Sequence, residues 1–256
     1  MTKKLIFFDI DGTLLDFDKK IPESTRNAVQ QLKDNGHDVA IATGRAPFLI
    51  QEVCQALDIH SYVSFNGQYV VYEGRVIYEN PISVTTLKAL QDFADKNGHP
   101  LIFMGAENMK ANAPFHPYIE EAMGSLHISH PDFNRTYYDE TPIYQTLIFC
   151  KDGEEKPYQR FKEVRFVRWH DLSMDILPAN GSKAEGIKKL LSHLGYEQKD
   201  VVAFGDGLND LEMIRFAGTG VAMGNAVPIL KEMADFVSKP VDHDGILYAV
   251  KTLQLA

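Results

Sequence analysis

The residues best suited to chemistry in this chain are carboxylates that follow short apolar runs. Asp9 and Asp11 stand two positions apart after LIFF, and Asp206 follows VVAFG. Asp9 and Asp11 would face the same side if the strand continued through them. Two nearby carboxylates repel, which tends to raise one pKa and leave the other group ionised, as a nucleophile and a general acid require. With Asp206 added, Mg²⁺ is a suitable neutralising cation, because it binds one or two carboxylates together with phosphate oxygens.

Further polar residues stand at the ends of other apolar runs. Gly12 permits a sharp turn and a close backbone approach to an anion, and Thr43 follows DVAIA. Lys183 opens a helix marked by the capping-box sequence SKAE, which places a positive charge beside a helix N-terminus. Asn209 and Asp210 complete the segment GDGLND. Each segment alone is explained better by a turn, a helix cap or a solvated side chain, but their joint occurrence in this order favours a phosphate site.

The elements that must position these residues follow the alternating rhythm of a parallel α/β sheet. In open sheets of this class the ligand crevice lies at the carboxyl ends of the strands, so the polar residues should converge there. The pattern predicts strands at 4–8, 38–42, 61–65, 69–78 and 201–206. It predicts helices at 22–35, about 46–57, 183–194, from about 208, and near 226–234.

The middle of the chain breaks this rhythm. A predicted helix at 83–97 is followed by apolar runs at 101–104 and 145–149 and by an alternating segment at 164–177. This pattern indicates a separate α+β unit inserted into the α/β domain. We therefore predict a core made of residues 1–81 and 182–256, with residues 82–181 as the insert.

Composition excludes several classes of protein. The 256 residues carry a net charge of −9 without a basic block, which argues against nucleic acid as a partner. The two cysteines cannot form a disulfide framework, and no apolar run approaches the roughly 18 residues that a membrane span needs. The N-terminal residues are too short a run for a signal peptide, so we expect a cytoplasmic protein. The acidity is explained best by a metal requirement.

The chain resembles the haloacid dehalogenase superfamily, specifically the Cof-like phosphatases with a type IIB cap. The resemblance is carried by four motifs: DIDGTL at 9–14, Thr43 and Gly44 in ATGR, Lys183 in NGSKAEG, and GDGLND at 205–210. It implies an α/β fold, a Rossmann-like core with a parallel sheet, and an inserted α+β cap domain that selects the substrate.

The resemblance also implies a mechanism. Asp9 would attack phosphorus and form an aspartyl-phosphate, while Asp11 would protonate the leaving group and then activate the hydrolytic water. Mg²⁺ would be held by the Asp9 carboxylate, the Asp11 backbone carbonyl and Asp206. Asp210 would orient a metal-bound water or the lysine, with Asn209 nearby. The phosphoryl oxygens would be bound by Gly12, Thr43, Gly44 and Lys183.

Candidates for contacts with the rest of the substrate are less constrained. Arg45 could meet a second anionic group, although a helix-surface arginine is an equal reading, and Asn66 could face the substrate or simply form an Asn-Gly turn. In LSMDIL, alternation places Leu172, Met174 and Ile176 on one face, leaving Asp175 free to meet a sugar or an amine.

The function predicted from these features is Mg²⁺-dependent hydrolysis of a small phosphorylated metabolite, either a sugar phosphate or a phosphorylated cofactor. Two alternatives remain open: a phosphomutase or phosphotransferase with the same nucleophile, and a phospho-aspartate signalling module. The carboxylate of Asp11 and the inserted unit argue against the signalling module. A monomer is the simplest assembly, with a homodimer as the alternative, and no membrane partner is expected.

Overall fold

Residues 2–255 are described by the computed structural model, and they separate into two units. Unit 1 comprises residues 2–45, 49–79 and 182–255, and unit 2 comprises residues 46–48 and 80–181. The role of residues 82–181 as a substrate-selecting cap stays a prediction.

The secondary structure alternates strands and helices in unit 1 and is more mixed in unit 2. The strands are β1 (Leu5–Phe8), β2 (Asp38–Ala42), β3 (Tyr62–Ser64), β4 (Tyr69–Tyr72), β5 (Arg75–Glu79), β6 (Leu101–Met104), β7 (Met109–Ala111), β8 (Gln145–Phe149), β9 (Val164–His170), β10 (Ser173–Pro178), β11 (Val201–Gly205), β12 (Thr219–Ala222) and β13 (Phe236–Val237). The helices are α1 (Glu23–Asp34), α2 (Gln51–Leu57), α3 (Val84–Asn97), α4 (Pro117–Gly124), α5 (Lys183–Leu194), α6 (Leu211–Phe216), α7 (Pro228–Met233) and α8 (Gly245–Thr252).

Unit 1 is built on an eight-stranded sheet in the order β13-β12-β11-β1-β2-β3-β4-β5. The pairs from β13 to β3 are parallel, while β4 and β5 add an antiparallel edge. Every residue of β1 and β11 is buried, as expected for strands covered on both faces. One face packs against α1, α2 and α8, and the other packs against α5, α6 and α7. The predicted α/β class with a parallel core sheet is confirmed.

Unit 2 holds an antiparallel sheet in the order β7-β6-β8-β10-β9. Helix α3 begins at a Ser83 cap, whose hydroxyl accepts the Thr86 backbone N–H at 3.1 Å. Its apolar side packs on one face of this sheet, where Phe103, Ile148 and Ile176 point toward the helix. Unit 2 therefore has its own core on that face.

Two local predictions need correction. The segment 69–78 is two strands, because the chain reverses at Glu73 and Gly74, both with positive φ. The helix expected from about 46 begins only at Gln51, after a short 3₁₀ turn at Pro47–Leu49. The alternating segment 164–177, for which the pattern predicted no single strand, also contains a turn and forms a hairpin of β9 and β10. In each case a tight turn interrupted a pattern that is continuous in the sequence.

Within residues 2–255, no helix combines the length and the apolar character that crossing a membrane requires.

Candidate active site

The candidate site lies at the carboxyl edge of the unit 1 sheet. Strand β1 pairs in parallel with both β2 and β11, so these three strands end side by side. Asp9, Thr43 and Asp206 are the first residues after β1, β2 and β11, respectively. This is the crevice that open α/β sheets use for ligands.

Lys183 reaches this edge because α5 begins there. Ser182 caps the helix by accepting the Glu185 backbone N–H at 3.3 Å. The start of the helix touches the 3₁₀ turn Phe65–Gly67 that follows β3, and a Cβ on Gly67 would lie 1.9 Å from the Ser182 carbonyl oxygen. Gly67 also has a φ of 99°, which L side chains rarely adopt. A residue with no side chain is therefore required where the helix meets the turn.

The Lys183 ammonium is buried between two carboxylates. Its Nζ lies 2.5 Å from Asp9 Oδ1 and 2.6 Å from Asp210 Oδ1, and the Lys183 side chain is inaccessible to solvent. Burial favours the neutral amine, but the charges of Asp210 and Asp9 outweigh it, so the pKa of Lys183 is raised. A buried lysine is stable only with such partners. These contacts fix the ammonium beside Asp9.

Both carboxylate oxygens of Asp210 accept hydrogen bonds from groups of unit 1. Beyond Lys183, its other oxygen accepts the backbone N–H groups of Asp206 at 3.0 Å and of Gly207 at 2.9 Å. A Cβ on Gly205 would lie 2.6 Å from the Asp210 carboxyl carbon, so only glycine fits at the end of β11. The geometry is that of a residue that orients Lys183 and the loop carrying Asp206.

Three carboxylates lie close together beside the single ammonium group of Lys183. One oxygen from each of Asp9, Asp206 and Asp210 lies within 4.8 Å of the others. Burial raises the pKa of Asp9, and Asp210 and Asp206 add to this rise although Lys183 opposes it. Burial and the charge of Asp210 likewise raise the pKa of Asp206 to about 6. These oxygen donors fit a hard divalent cation such as Mg²⁺, which would offset the excess negative charge.

Asp206 is held by two residues that are not among the predicted site residues. Thr13 Oγ1 donates to Asp206 Oδ1 at 3.1 Å, and Asn225 Nδ2 lies 3.4 Å from Asp206 Oδ2. Asn225 also donates to the Gly12 carbonyl at 2.8 Å. Gly12 itself has a φ of 76°, and a Cβ there would lie 2.2 Å from Asp206 Oδ2. Asn225 follows the apolar run of β12, so the criterion applied to the other strand ends would have found it.

The Asp11 carboxylate forms ion pairs with two cationic side chains, Arg45 and Lys19. Arg45 donates from Nε at 2.8 Å and from Nη2 at 2.6 Å, and Lys19 Nζ lies 2.7 Å away. Burial opposes ionisation, but Arg45 and Lys19 outweigh it and lower the pKa of Asp11. Strand β1 ends at Phe8, so the condition for a shared strand face is not met.

The pKa values of Asp9 and Asp11 are therefore shifted in opposite directions. Asp9, expected to be the ionised nucleophile, has the raised pKa, and Asp11, expected to be the acid, has the lowered one. The physical cause also differs from the mutual repulsion that the spacing suggested. Burial with Asp210 and Asp206 acts on Asp9, whereas ion pairing acts on Asp11.

The remaining predicted residues of unit 1 form a connected turn. Thr43 Oγ1 accepts the Arg45 backbone N–H at 3.1 Å, and the Thr43 carbonyl accepts the Asn66 N–H at 3.0 Å. A Cβ on Gly44 would lie 3.0 Å from Asn66 Nδ2, and Asn209 Nδ2 lies 3.4 Å from Asn66 Oδ1. Thr43, Gly44, Asn66 and Asn209 thus lie beside one another at the same edge.

Asp175 belongs to unit 2. It lies on β10, with its side chain on the face opposite Met174 and Ile176, both of which pack in the core with α3. Gln145 Nε2 donates to Asp175 Oδ1 at 2.9 Å. Burial raises the pKa of Asp175 to about 7, against the opposing charge of Arg165.

Comparisons with known proteins agree with this architecture. The family model described as haloacid dehalogenase-like hydrolase matches residues 6–250. The chain is 55% identical to "Putative phosphatase YkrA" of Bacillus subtilis strain 168, covering 100% of this chain and 99% of that protein. It is 30% identical to 5-amino-6-(5-phospho-D-ribitylamino)uracil phosphatase YitU of the same organism, with 96% of each chain covered.

A solved structure of a related protein has the same fold. The HAD subclass IIB sugar phosphatase BT4131 superposes with a TM-score of 0.86 at 31% identity, covering 99% of this chain and 100% of that one. The chain belongs to the haloacid dehalogenase-like hydrolases, and the predicted family and phosphatase class are confirmed. The comparisons do not favour the mutase or signalling alternatives.

Proposed function

We propose that this phosphatase hydrolyses small phosphate monoesters through an aspartyl-phosphate on Asp9, with Mg²⁺ as its cofactor. The observation that carries the proposal is the buried Lys183 held between Asp9 and Asp210, with Asp206 within reach of both carboxylates. An arrangement with one fixed cation and an excess of carboxylates suits phosphoryl transfer, which depends on positioning and charge stabilisation.

In the first step, an Asp9 oxygen forms a bond to phosphorus while the bond from phosphorus to the ester oxygen breaks. Lys183 keeps the Asp9 carboxylate in place, and Lys183, Thr43 and the backbone near Gly12 and Gly44 bind phosphoryl oxygens. The leaving alkoxide takes a proton from Asp11. Mg²⁺, when bound by Asp9, the Asp11 carbonyl and Asp206, supplies positive charge that favours ionised Asp9 and offsets the phosphoryl charge.

In the second step, water attacks phosphorus and the bond between phosphorus and Asp9 breaks. Asp11 accepts the proton of the attacking water, and inorganic phosphate leaves. For Asp11 to act as an acid, its ion pairs with Arg45 and Lys19 must loosen. An anionic substrate offers Arg45 a competing partner, so substrate binding itself would raise the proton affinity of Asp11.

The substrate class is proposed from the names of the relatives. One relative is named for a phosphoribityl substrate and a structural neighbour is named a sugar phosphatase. We therefore favour a polyhydroxylated phosphate ester, such as a sugar or polyol phosphate, acted on by a monomer. A cytoplasmic location stays a prediction.

The experiment is phosphate release from a panel of sugar, polyol and cofactor phosphates, with Mg²⁺ and after its removal by a chelator. We expect Asp9→Asn to reduce turnover to background and Asp18→Asn, an exposed carboxylate of the same segment, to leave it unchanged. Circular dichroism confirms that each variant is folded. Release from no ester, or full activity of Asp9→Asn, would contradict the proposal.

A further inference from the structure

The side chain of Asn225 contacts three separate parts of unit 1. Its Nδ2 donates to the Gly12 carbonyl at 2.8 Å and lies 3.4 Å from Asp206 Oδ2. Its Oδ1 accepts the backbone N–H of Val241 at 2.9 Å. The nitrogen and the oxygen of the amide are therefore both engaged, and their partners belong to three different segments of the chain. Bonds in these directions restrict the side chain to one orientation.

Asn225 is anchored to the C-terminal part of the chain. The backbone N–H of its neighbour Gly224 donates to the Lys239 carbonyl at 2.9 Å. A Cβ on Gly224 would lie 2.3 Å from the Pro240 backbone nitrogen, so the two backbones are in direct contact. Val241 is buried in the core cluster that includes residues of α8. The amide group of Asn225 thus extends from a backbone that is held in place on both sides.

The two groups that Asn225 Nδ2 meets belong to the proposed metal site. Asp206 offers its carboxylate, and the Gly12 carbonyl stands directly after the Asp11 carbonyl in the chain. Gly12 has a φ of 76°, and a Cβ on it would lie 2.2 Å from Asp206 Oδ2, so this turn and the carboxylate are in close contact. One side chain therefore joins two of the expected Mg²⁺ ligands, which follow different strands, β1 and β11.

A neutral donor suits this position better than a charged one. A lysine or arginine beside Asp206 would offset the charge of the carboxylate and so compete with Mg²⁺ for it. The amide N–H of Asn225 occupies one acceptor position of Asp206 and leaves the other positions open to a metal. Partners that orient metal ligands in this way commonly change metal affinity by about 10- to 100-fold when they are removed.

We propose that Asn225 is a positioning residue for the metal site: it presents Asp206 and the Asp11 carbonyl to Mg²⁺ and holds them against the C-terminal segment. The identity of the cation rests on the proposed function, whereas the contacts of Asn225 are those of unit 1 alone. A purely structural role would make Asn225 matter for the stability of the fold and not for the affinity of the metal.

The first test measures Mg²⁺ binding by the intact protein in the absence of substrate, with isothermal titration calorimetry. Asn225→Ala should raise the dissociation constant for Mg²⁺ about tenfold or more. The matched control is Asn35→Ala, which removes a side-chain bond to the Leu255 carbonyl. Asn35 lies between α1 and β2, at the amino edge of the same sheet, so this variant should leave the constant unchanged.

The second test measures phosphate release as a function of Mg²⁺ concentration. Asn225→Ala should need more Mg²⁺ for half-maximal activity, and saturating Mg²⁺ should restore most of the wild-type kcat, because the ligands themselves are intact. Asn225→Ser guards against a folding defect of the alanine variant. Its hydroxyl is too short to contact Gly12, Asp206 and Val241 together, so it should shift the Mg²⁺ dependence in the same direction.

The outcomes separate this inference from the proposed function. A Mg²⁺ dissociation constant that equals the wild-type value in both Asn225 variants overturns the inference, and so does an equal rise in Asn35→Ala. A loss of kcat that saturating Mg²⁺ does not restore overturns it as well. A wild-type protein that binds Mg²⁺ with this dependence on Asn225 yet releases no phosphate overturns the proposed function and leaves the inference standing.

Discussion

Replacing Lys183 by methionine should destabilise unit 1 by about 5 kcal/mol. The side chains of Lys183 and Asp210 are inaccessible to solvent and that of Asp9 is 9% exposed. Two unit charges at 2.6 Å attract by about 6 kcal/mol at an effective dielectric constant of about 20, before desolvation is subtracted. Removing one partner of a buried pair costs about 3–5 kcal/mol, and Lys183 serves two carboxylates, which places this variant at the upper end.

A double-mutant cycle isolates the interaction between Lys183 and Asp210. Asp210→Asn alone should cost about 3 kcal/mol, and the double variant should cost about as much as Lys183→Met alone, giving a coupling near 3 kcal/mol. The control is Lys188→Met on the same helix, whose exposed ion pair with Glu185 should change stability by less than about 0.5 kcal/mol.

The assay is urea unfolding followed by far-ultraviolet circular dichroism. Fluorescence of Trp169 follows unit 2 separately, so a shift confined to unit 1 can be recognised. If the loss of stability in the double variant equals the sum of the two single losses to within about 0.5 kcal/mol, the reasoning is refuted, because independent sites behave in that way. A loss no larger than that of Lys188→Met would refute it equally.

Three further outcomes are expected. Gly67→Ala should lower the free energy of unfolding in urea by more than about 2 kcal/mol, because the new Cβ would meet the Ser182 carbonyl. Gly74→Ala, which has a positive φ but open space around it, should cost only about 1 kcal/mol. Equal costs for the two variants would disprove the contact argument. The pKa of Asp175 is raised from 3.8 to about 7, so between these pH values the folded state holds a proton that the unfolded state has released. The free energy of unfolding therefore falls as the pH rises from 3.8 to about 7. Asp175→Asn should remove up to about 4 kcal/mol of this fall, and an unchanged pH profile of the unfolding midpoint would refute the assignment. Mg²⁺ should raise the melting temperature of the wild-type protein and not that of Asp206→Asn; equal shifts would place the ion elsewhere.

Strand ends were the most predictable part of the site. Asp9, Thr43 and Asp206 follow apolar runs, and parallel strands of one sheet must end at the same edge, so a parallel sheet is enough to bring them to that edge. Lys183 was predictable for a related reason, since its capping sequence marks the start of a helix. These inferences need only local patterns and a sheet rule.

Side-chain direction after a strand was not predictable. Asp11 turns toward Arg45 and Lys19, a choice made by long-range contacts and by a turn with no periodic pattern. The reversal at Glu73 was hidden because both strands of that hairpin are equally rich in strand-forming residues. On the sheet of unit 2, alternation had indicated Asp175 but not Gln145, which donates to it from the neighbouring strand β8.

The pairing of β1 with β11 has a consequence for synthesis of the chain. Leu5 lies opposite Val201, so β1 leaves the ribosome nearly two hundred residues before the neighbour that covers its second edge. The sheet and α3 of unit 2 come from the continuous stretch 80–181, which is available for folding in the meantime. The nascent chain therefore carries an apolar strand with a free edge, a site prone to pairing with other chains. We expect truncated chains ending near residue 181 to aggregate through β1 although their unit 2 is complete.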